Sequence, residues 1–349
     1  MQIYKIDPLT DERWTKFVNN CSHASIFHSE QWLRAIHRTY GYKPVVFTTS
    51  PLTGELKNGI LFCHVGSWLT GTRMVSVPFS DHCEPLVDTA AELEFLLNCL
   101  RTDMEHRDWS YIEIRPVNGR FENTSQKAGF VPASFYYIHR IDLRPPLEQI
   151  FASLNKDSVQ RRIRRAQKAG VTRTCGRSEA LLKDFYGLMV LTRKRLGIPP
   201  QPYSWFSNLM NCMDDALEIR VAYWSGRPIA AVLTVRFRNT VCYKYACSDA
   251  QYHKLAAMPA LLWDIIKNSK DAGMEEVELG RSSSSDKGLI NFKTHWTKKF
   301  SQLVYWRYPK PRHITSDDSW TMKVMKPVFG YMPKRMLPIA GRLLYRHIG

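Results

Sequence analysis

The sequence predicts an α/β protein, of α+β type, made of two tandem domains that each carry a mixed central sheet flanked by helices. Three observations predict it. The chain has 349 residues with 44% hydrophobic and 12% aromatic content, which exceeds a typical single core and fills two ordinary ones. Strand-like and helix-like periodicities alternate through both halves. The order strand, Ser-Asp loop, helix, strand, arginine occurs twice, anchored by Ser80-Asp81 with Arg115 and by Ser248-Asp249 with Arg281. Similar spacing between the anchors implies one supersecondary plan used twice.

In the first domain, placed at 1–145, the pattern predicts a helix over 29–40 and strands at 45–49, 59–65 and 74–77. A helix over 91–106 and a strand at 111–115 follow, and the strand-like FYYIHRIDL closes the domain before Pro145-Pro146. The second domain, 146–310, opens with a helix over 155–170, where Val159, Ile163 and Ala166 step by four and three and Gly170 ends the run. A helix over 179–196 leads into the loop GIPPQPYSW. Strands at 218–224, 229–237 and 241–246, a helix over 259–271 and a strand at 274–279 complete it, with Gly226-Arg227 as a hairpin turn. Residues 311–349 read as a basic amphipathic tail.

The formal charge is +17, which suits a partner dense in negative charge: nucleic acid, an anionic membrane leaflet or a phosphorylated small molecule. It is concentrated in Arg161, Arg162, Arg164, Arg165, Lys168, Arg173 and Arg177, and again in Lys323, Lys326, Lys334, Arg335, Arg342 and Arg346 of a tail without acids after Asp318. In that tail Phe329, Met332, Met336, Ile339 and Leu343 step by three or four, as in an interfacial segment, although Pro327, Pro333 and Pro338 should break it. No run approaches a spanning helix and the start lacks a signal-peptide pattern, so the expected location is cytoplasmic, with peripheral contact to the inner membrane. The eight cysteines show no CxxC and no metal-ligand spacing. They read as buried reduced thiols, with Cys242 and Cys247 on opposite faces of one strand. No metal is expected. A GxSxG elbow and a Walker loop are both absent.

The segment ELGRSSSSDKGLINFKTHW, 278–296, places Arg281 at the carboxyl end of a strand, with Gly280 permitting a turn and Lys293 a short distance on. Two cations beside a polar loop point to an anionic ligand, and a guanidinium at a strand end can hold phosphate or carboxylate bidentately.

Together with FHSEQWLRAIHRTYGY, SLNKDSVQRRIRRAQKAGV, LTRKRLGIPPQPYSWF and ACSDAQYHKLAAMPALLWDII, that segment gives the chain a resemblance to the GNAT superfamily. Within it the chain resembles the Fem-type peptidoglycan bridge transferases and their FemAB-like relatives, including an exopolysaccharide-associated branch. The resemblance implies two tandem GNAT-like domains, the first on the acceptor side, and transfer of an acyl or aminoacyl group to an amine on a cell-envelope or exopolysaccharide precursor. The donor would be acyl-CoA or aminoacyl-tRNA. It also implies that Phe292 and Lys293 lie near the donor channel. The chain departs from the pattern in YHKLAAMPALL, which lacks the phosphate-loop glycines and offers Lys254 instead, and after Trp32, where Ile36, His37 and Arg38 stand in place of a lysine.

Aminolysis needs a neutral amine, stabilisation of the carbonyl oxygen and a proton route to the leaving group. Lys293 is the candidate for the oxyanion or a donor phosphate, and Asp249 and Tyr245 for orienting the amine or relaying a proton. Arg281, Phe292 and Lys254 are candidates for binding the donor. In the first domain Arg73, Asp81, His82 and Arg115 are candidates for an acceptor cleft between the domains. Two other classes fit the same residues: a catalytically degenerate binding or scaffold protein of a polysaccharide biosynthesis or export system, and an RNA-binding protein, which lacks an RNP-like aromatic motif.

Overall fold

The computed structural model describes residues 2–106, 109–117, 119–310 and 327–348. In chain order the strands are β1 (Tyr4–Ile6), β2 (Lys43–Thr48), β3 (Ile60–Val65), β4 (Thr72–Val75), β5 (Trp109–Ile114) and β6 (Val131–Asp142). They continue as β7 (Thr172–Gly176), β8 (Leu217–Trp224), β9 (Arg227–Phe237), β10 (Thr240–Ser248), β11 (Glu276–Ser283) and β12 (Phe300–Tyr308). The helices that matter here are α1 (Glu12–Asn20), α2 (Glu30–Tyr40), α3 (Ala90–Glu105), α4 (Glu122–Lys127), α5 (Leu147–Ser153), α6 (Arg161–Lys168) and α7 (Glu179–Leu196). After them come α8 (Tyr203–Met213), α9 (Ala257–Asp271), α10 (Lys287–Thr294) and a closing helix, Leu337–Ile348.

The chain forms two units. Unit 1 takes the described residues of Met1–Tyr136, Ser301–Asp317 and Leu343–Gly349; unit 2 takes those of Tyr137–Phe300 and Asp318–Arg342. These are not the contiguous stretches that Pro145-Pro146 suggests, because β6 passes from one unit into the other and β12 returns to unit 1. In unit 1 the strand order is β1-β2-β3-β4-β5-β12-β6. The first four form an antiparallel meander, and β5 lies parallel to β4 after the crossover through α3. In unit 2 the order is β6-β11-β10-β9-β8-β7, again with four antiparallel strands and a parallel fifth after the crossover through α9. The two units therefore share one plan.

Local chemistry explains the helix limits. Ser29 caps α2 by accepting from the Trp32 N–H, and Gly41 ends it with φ +74°, a left-handed value glycine adopts without cost. Ser178 and Gly197 do the same for α7. Leu93, Leu96, Leu97 and Leu100 of α3 step by three and four onto Phe47, Phe62 and Ile112, making the core of unit 1. In unit 2, Ile163 and Ala166 of α6 join Leu262 and Ile266 of α9 over Val232 and Val277.

Several expectations are revised. The strands β1, β7 and β12 are unanticipated; β7 is polar and largely exposed at the sheet edge, so it has no alternation to detect. The helix expected over 155–170 is a π-helical turn, Lys156–Gln160, followed by α6. The strand expected at 274–279 runs from Glu276 to Ser283, so Arg281 lies inside it. Four of the eight cysteines are buried, but Cys175 is exposed and Cys21, Cys99 and Cys212 are half-buried. A β-bulge at Lys244 shifts the register, so that Cys242 opposes Val235 and Cys247 opposes Ala231. Since Val235 and Ala231 are four apart, both thiols share a face, against the simple alternation. In the tail, residues 311–326, with Lys323 and Lys326, lie outside the described residues. Pro338 does not break the closing helix, because it sits in the first turn where no intrahelical N–H is needed. That helix passes so close to Pro200 that a Cβ on Gly341 would fall 1.9 Å from its carbonyl oxygen.

Candidate functional site

In unit 2, β10 and β11 pair in parallel at Thr240–Glu276, Val241–Val277 and Cys242–Glu278. Among the described residues the ladder stops there, although β10 runs on to Ser248 and β11 to Ser283. The bulge at Lys244 is the local cause on one side, since an extra residue bends its strand. On the other side Gly280 has φ +67°, a left-handed kink inside a strand that a Cβ would strain. The kink lets two successive carbonyls face one group: the Lys293 ammonium donates to Gly280 O at 2.7 Å and to Arg281 O at 3.3 Å.

Lys293 is therefore a tie between α10 and the parting strand. The residue is only 3% exposed, so the ammonium meets these carbonyls away from bulk water. His139 of β6 lies beside it, buried against the Phe300 ring at 5.6 Å, and among the described residues neither ring nitrogen has a hydrogen-bond partner. Burial and then the Lys293 charge hold His139 down to about 4, so the imidazole is neutral at pH 7. Arg281 is half-buried on β11, and Phe292 packs against the core near Trp296, with ring centroids 6.4 Å apart.

On the facing strand, Tyr245 is buried and its hydroxyl accepts from Trp205 Nε1 at 2.9 Å and Gln201 Nε2 at 3.2 Å. The loop GIPPQPYSW thus ends in α8 and orients Tyr245, a role with no signal in the sequence. At the end of β10, Asp249 caps a 3-10 helix, Ala250–Leu255, by accepting from the Gln251 N–H at 3.0 Å. Ser248 shares a 2.9 Å hydrogen bond with His253, whose pKa is lowered by burial and by Arg195, with Asp249 opposing. Lys254 is exposed. Ala256 then takes φ +56° and α9 begins without a side-chain cap. Pro259 is its third residue, which removes one of the N–H groups a helix start offers to an anion.

The counterpart in unit 1 is closed. Arg115 Nε donates to Glu113 Oε1 at 2.8 Å and Arg307 Nε to Glu113 Oε2 at 2.6 Å. Burial pushes the Glu113 carboxyl up, but the two guanidiniums more than offset it and hold the group down to about 2. Arg115 also donates to Val77 O at 2.8 Å and stacks 4.9 Å from the Tyr305 ring, while the Tyr305 hydroxyl donates to Asp81 O at 2.6 Å. His82 meets Phe27 edge-on at 5.1 Å. Arg73 is buried, donating to Thr70 Oγ1 at 2.7 Å and His347 O at 2.8 Å. Arg73, Asp81, His82 and Arg115 are all buried.

Residues 155–293 match the acetyltransferase (GNAT) domain family, and these residues contain the whole of the parting-strand arrangement. The crystal structure of FemX is similar to the chain at a TM-score of 0.67 and 14% identity, over 87% of this chain and 97% of that one. The C-terminal domain of a putative lysylphosphatidylglycerol synthetase from Agrobacterium fabrum is similar at 0.57 and 12%, over 86% and 91%. A tandem GNAT protein from the clavulanic acid biosynthesis pathway is similar at 0.57 and 8%, over 89% and 99%. No curated protein matches the sequence.

Proposed function

We propose that the chain is a Fem-like relative within the GNAT superfamily and transfers an acyl or aminoacyl group to an amine on a lipid-linked cell-envelope or exopolysaccharide precursor. The observation that carries this reading is the parting of β10 and β11 beyond Cys242 and Glu278. Strands that separate leave backbone donors and acceptors turned toward an extended ligand arm, which is how a sheet holds a linear acyl carrier. In the reaction the amine nitrogen attacks the ester or thioester carbonyl, the carbon–oxygen or carbon–sulfur bond breaks, and the amine proton leaves with the departing oxygen or sulfur. Tyr245 and Asp249 stand on the β10 side and Arg281 on the β11 side of the gap. Tyr245 is the proposed proton relay, Asp249 shapes the loop and Arg281 meets the donor's phosphate. Phe292 and Lys293 hold the β11 side in place.

The donor is acyl-CoA or aminoacyl-tRNA. Ala256 and Pro259 leave the start of α9 poorer in backbone donors than a glycine-rich cradle, so side-chain charge from Lys254 and Arg195 would carry more of the phosphate binding. A lipid-borne acceptor is supported by the likeness to proteins named for lysylphosphatidylglycerol synthesis. The deciding experiment supplies radiolabelled acyl-CoAs and aminoacyl-tRNAs with amine-bearing lipid-linked sugars and peptides. Label moving to an amine supports the reading, and Arg281→Ala should lower kcat/KM about tenfold or more. No transfer and no thermal stabilisation by any donor would leave the scaffold reading, which the missing glycines favour.

A further inference from the structure

The turn between β3 and β4, Gly66 to Gly71, is built to project its apolar tip. Ser67 Oγ accepts from the Leu69 and Thr70 N–H groups at 3.1 and 2.9 Å, and Gly71 closes the turn at φ +78°. At its tip Trp68 is 86% exposed and Leu69 55%. The end of the closing helix is fastened to this turn. Ser67 Oγ shares a 2.9 Å hydrogen bond with His347 Nδ1, Thr70 Oγ1 donates to His347 O at 2.8 Å, and the Trp68 and His347 rings meet edge-on at 5.5 Å.

The closing helix has a second apolar face. At 100° per residue, Leu337 and Gly341 fall on the buried side, while Leu343, 60% exposed, falls on the other with Arg342 and Arg346 beside it. From 327 to 348 there are basic residues and no acid.

We propose that the Trp68-Leu69 turn and the outward face of the closing helix form a docking surface for a lipid bilayer bearing anionic headgroups. Tryptophan suits the headgroup boundary, leucines suit the acyl region below it, and the arginines meet anionic headgroups. A nucleic acid would use the arginines but would leave Leu69 and Leu343 unburied, so the mixture of the two side-chain types selects the membrane. The inference rests on the reading of a lipid-linked acceptor and says how the protein reaches it.

The test is co-sedimentation of the full chain with vesicles of phosphatidylcholine, with and without phosphatidylglycerol. The expected result is binding to the anionic vesicles, weakened by salt, and about tenfold weaker binding for Trp68→Ala/Leu343→Ala, with unchanged thermal unfolding. Arg346→Glu should weaken binding without touching the apolar tip. Equal retention of the double variant, or no vesicle binding by the native chain, overturns the proposal, as does retention on tRNA alone. Transfer to a water-soluble amine should be equal in native and double-variant protein. Its absence in a native chain that still binds vesicles would sink the transferase reading alone.

Discussion

Units 1 and 2 use the same strand order, yet they treat the strand after the crossover in opposite ways. In unit 1, β5 is locked: Glu113 is buried between Arg115 and Arg307, and Arg115 also fastens the preceding loop through Val77 O. In unit 2, β11 parts from β10 after three paired positions, and its kink at Gly280 is tied by one lysine to two backbone carbonyls. A buried ion cluster closes a strand gap because each charge must be fully paired to stay out of water. Backbone ties need no buried counter-charge, because the Lys293 ammonium is met by carbonyls that the strand already carries. Two units of one plan thus differ in how the strand after the crossover is fastened, by buried charge in β5 and by backbone carbonyls in β11.

The largest effect is expected at Glu113. Glu113→Ala leaves two buried guanidiniums without their shared carboxylate and should cost about 3–5 kcal/mol in denaturant unfolding. A loss below about 1 kcal/mol would mean that unit 1 is not held by this cluster. The same group predicts a pH dependence. Its folded-state pKa, about 2, lies below its ordinary 4.5, so its contribution is present above pH 4.5 and disappears as pH falls toward 2. That contribution is about 3 kcal/mol at most, and Glu113→Gln should flatten the native stability curve across this window. An unflattened curve would assign the acid lability elsewhere.

In unit 2, Lys293→Met should lower stability by about 2 kcal/mol, since Gly280 O and Arg281 O lose their ammonium donor. A large drop in turnover with unchanged stability would instead give Lys293 a chemical role. Tyr245→Phe strips the acceptor from Trp205 and Gln201 and should cost roughly 1 kcal/mol; the pH profile of kcat separates a proton relay from a packing effect. The smallest effect is expected at Ala256→Gly, where relief of the left-handed φ is partly offset by backbone entropy, leaving a gain of up to about 1 kcal/mol in unfolding free energy. If the same change also strengthens CoA binding in calorimetry, the missing glycine is what limits the phosphate cradle.

Much of the fold is legible in the order of the amino acids. The crossover helices and the strands after them are legible in the periodicity, and a Ser-Asp pair precedes the crossover helix in both units, although Arg115 follows β5 while Arg281 lies inside β11. The unanticipated strands are those with no pattern of their own: β1 is three residues long, and β7 exposes nearly all its side chains. The candidate site is legible only in part. Tyr245 lies on β10, Arg281 on β11 and Asp249 at the cap just after β10, but Lys293 and Arg115 read as free cations in a linear sequence. A chain cannot show which charge will find two carbonyls, or a buried glutamate, once it is folded.

The alternating α/β pattern of both halves, the Fem-like resemblance and the places where charge gathers are readable from the amino-acid order, because periodicity, turn residues and net charge are local properties summed along the chain. Only the folded chain settles which crossover strand is fastened by buried charge and which parts from its neighbour after three pairs. That choice depends on Arg307 reaching Glu113 across 194 positions, and on Trp205 reaching Tyr245 across 40. Such long-range pairs carry no local signature, and their energy appears only when burial removes the water that would otherwise satisfy each group.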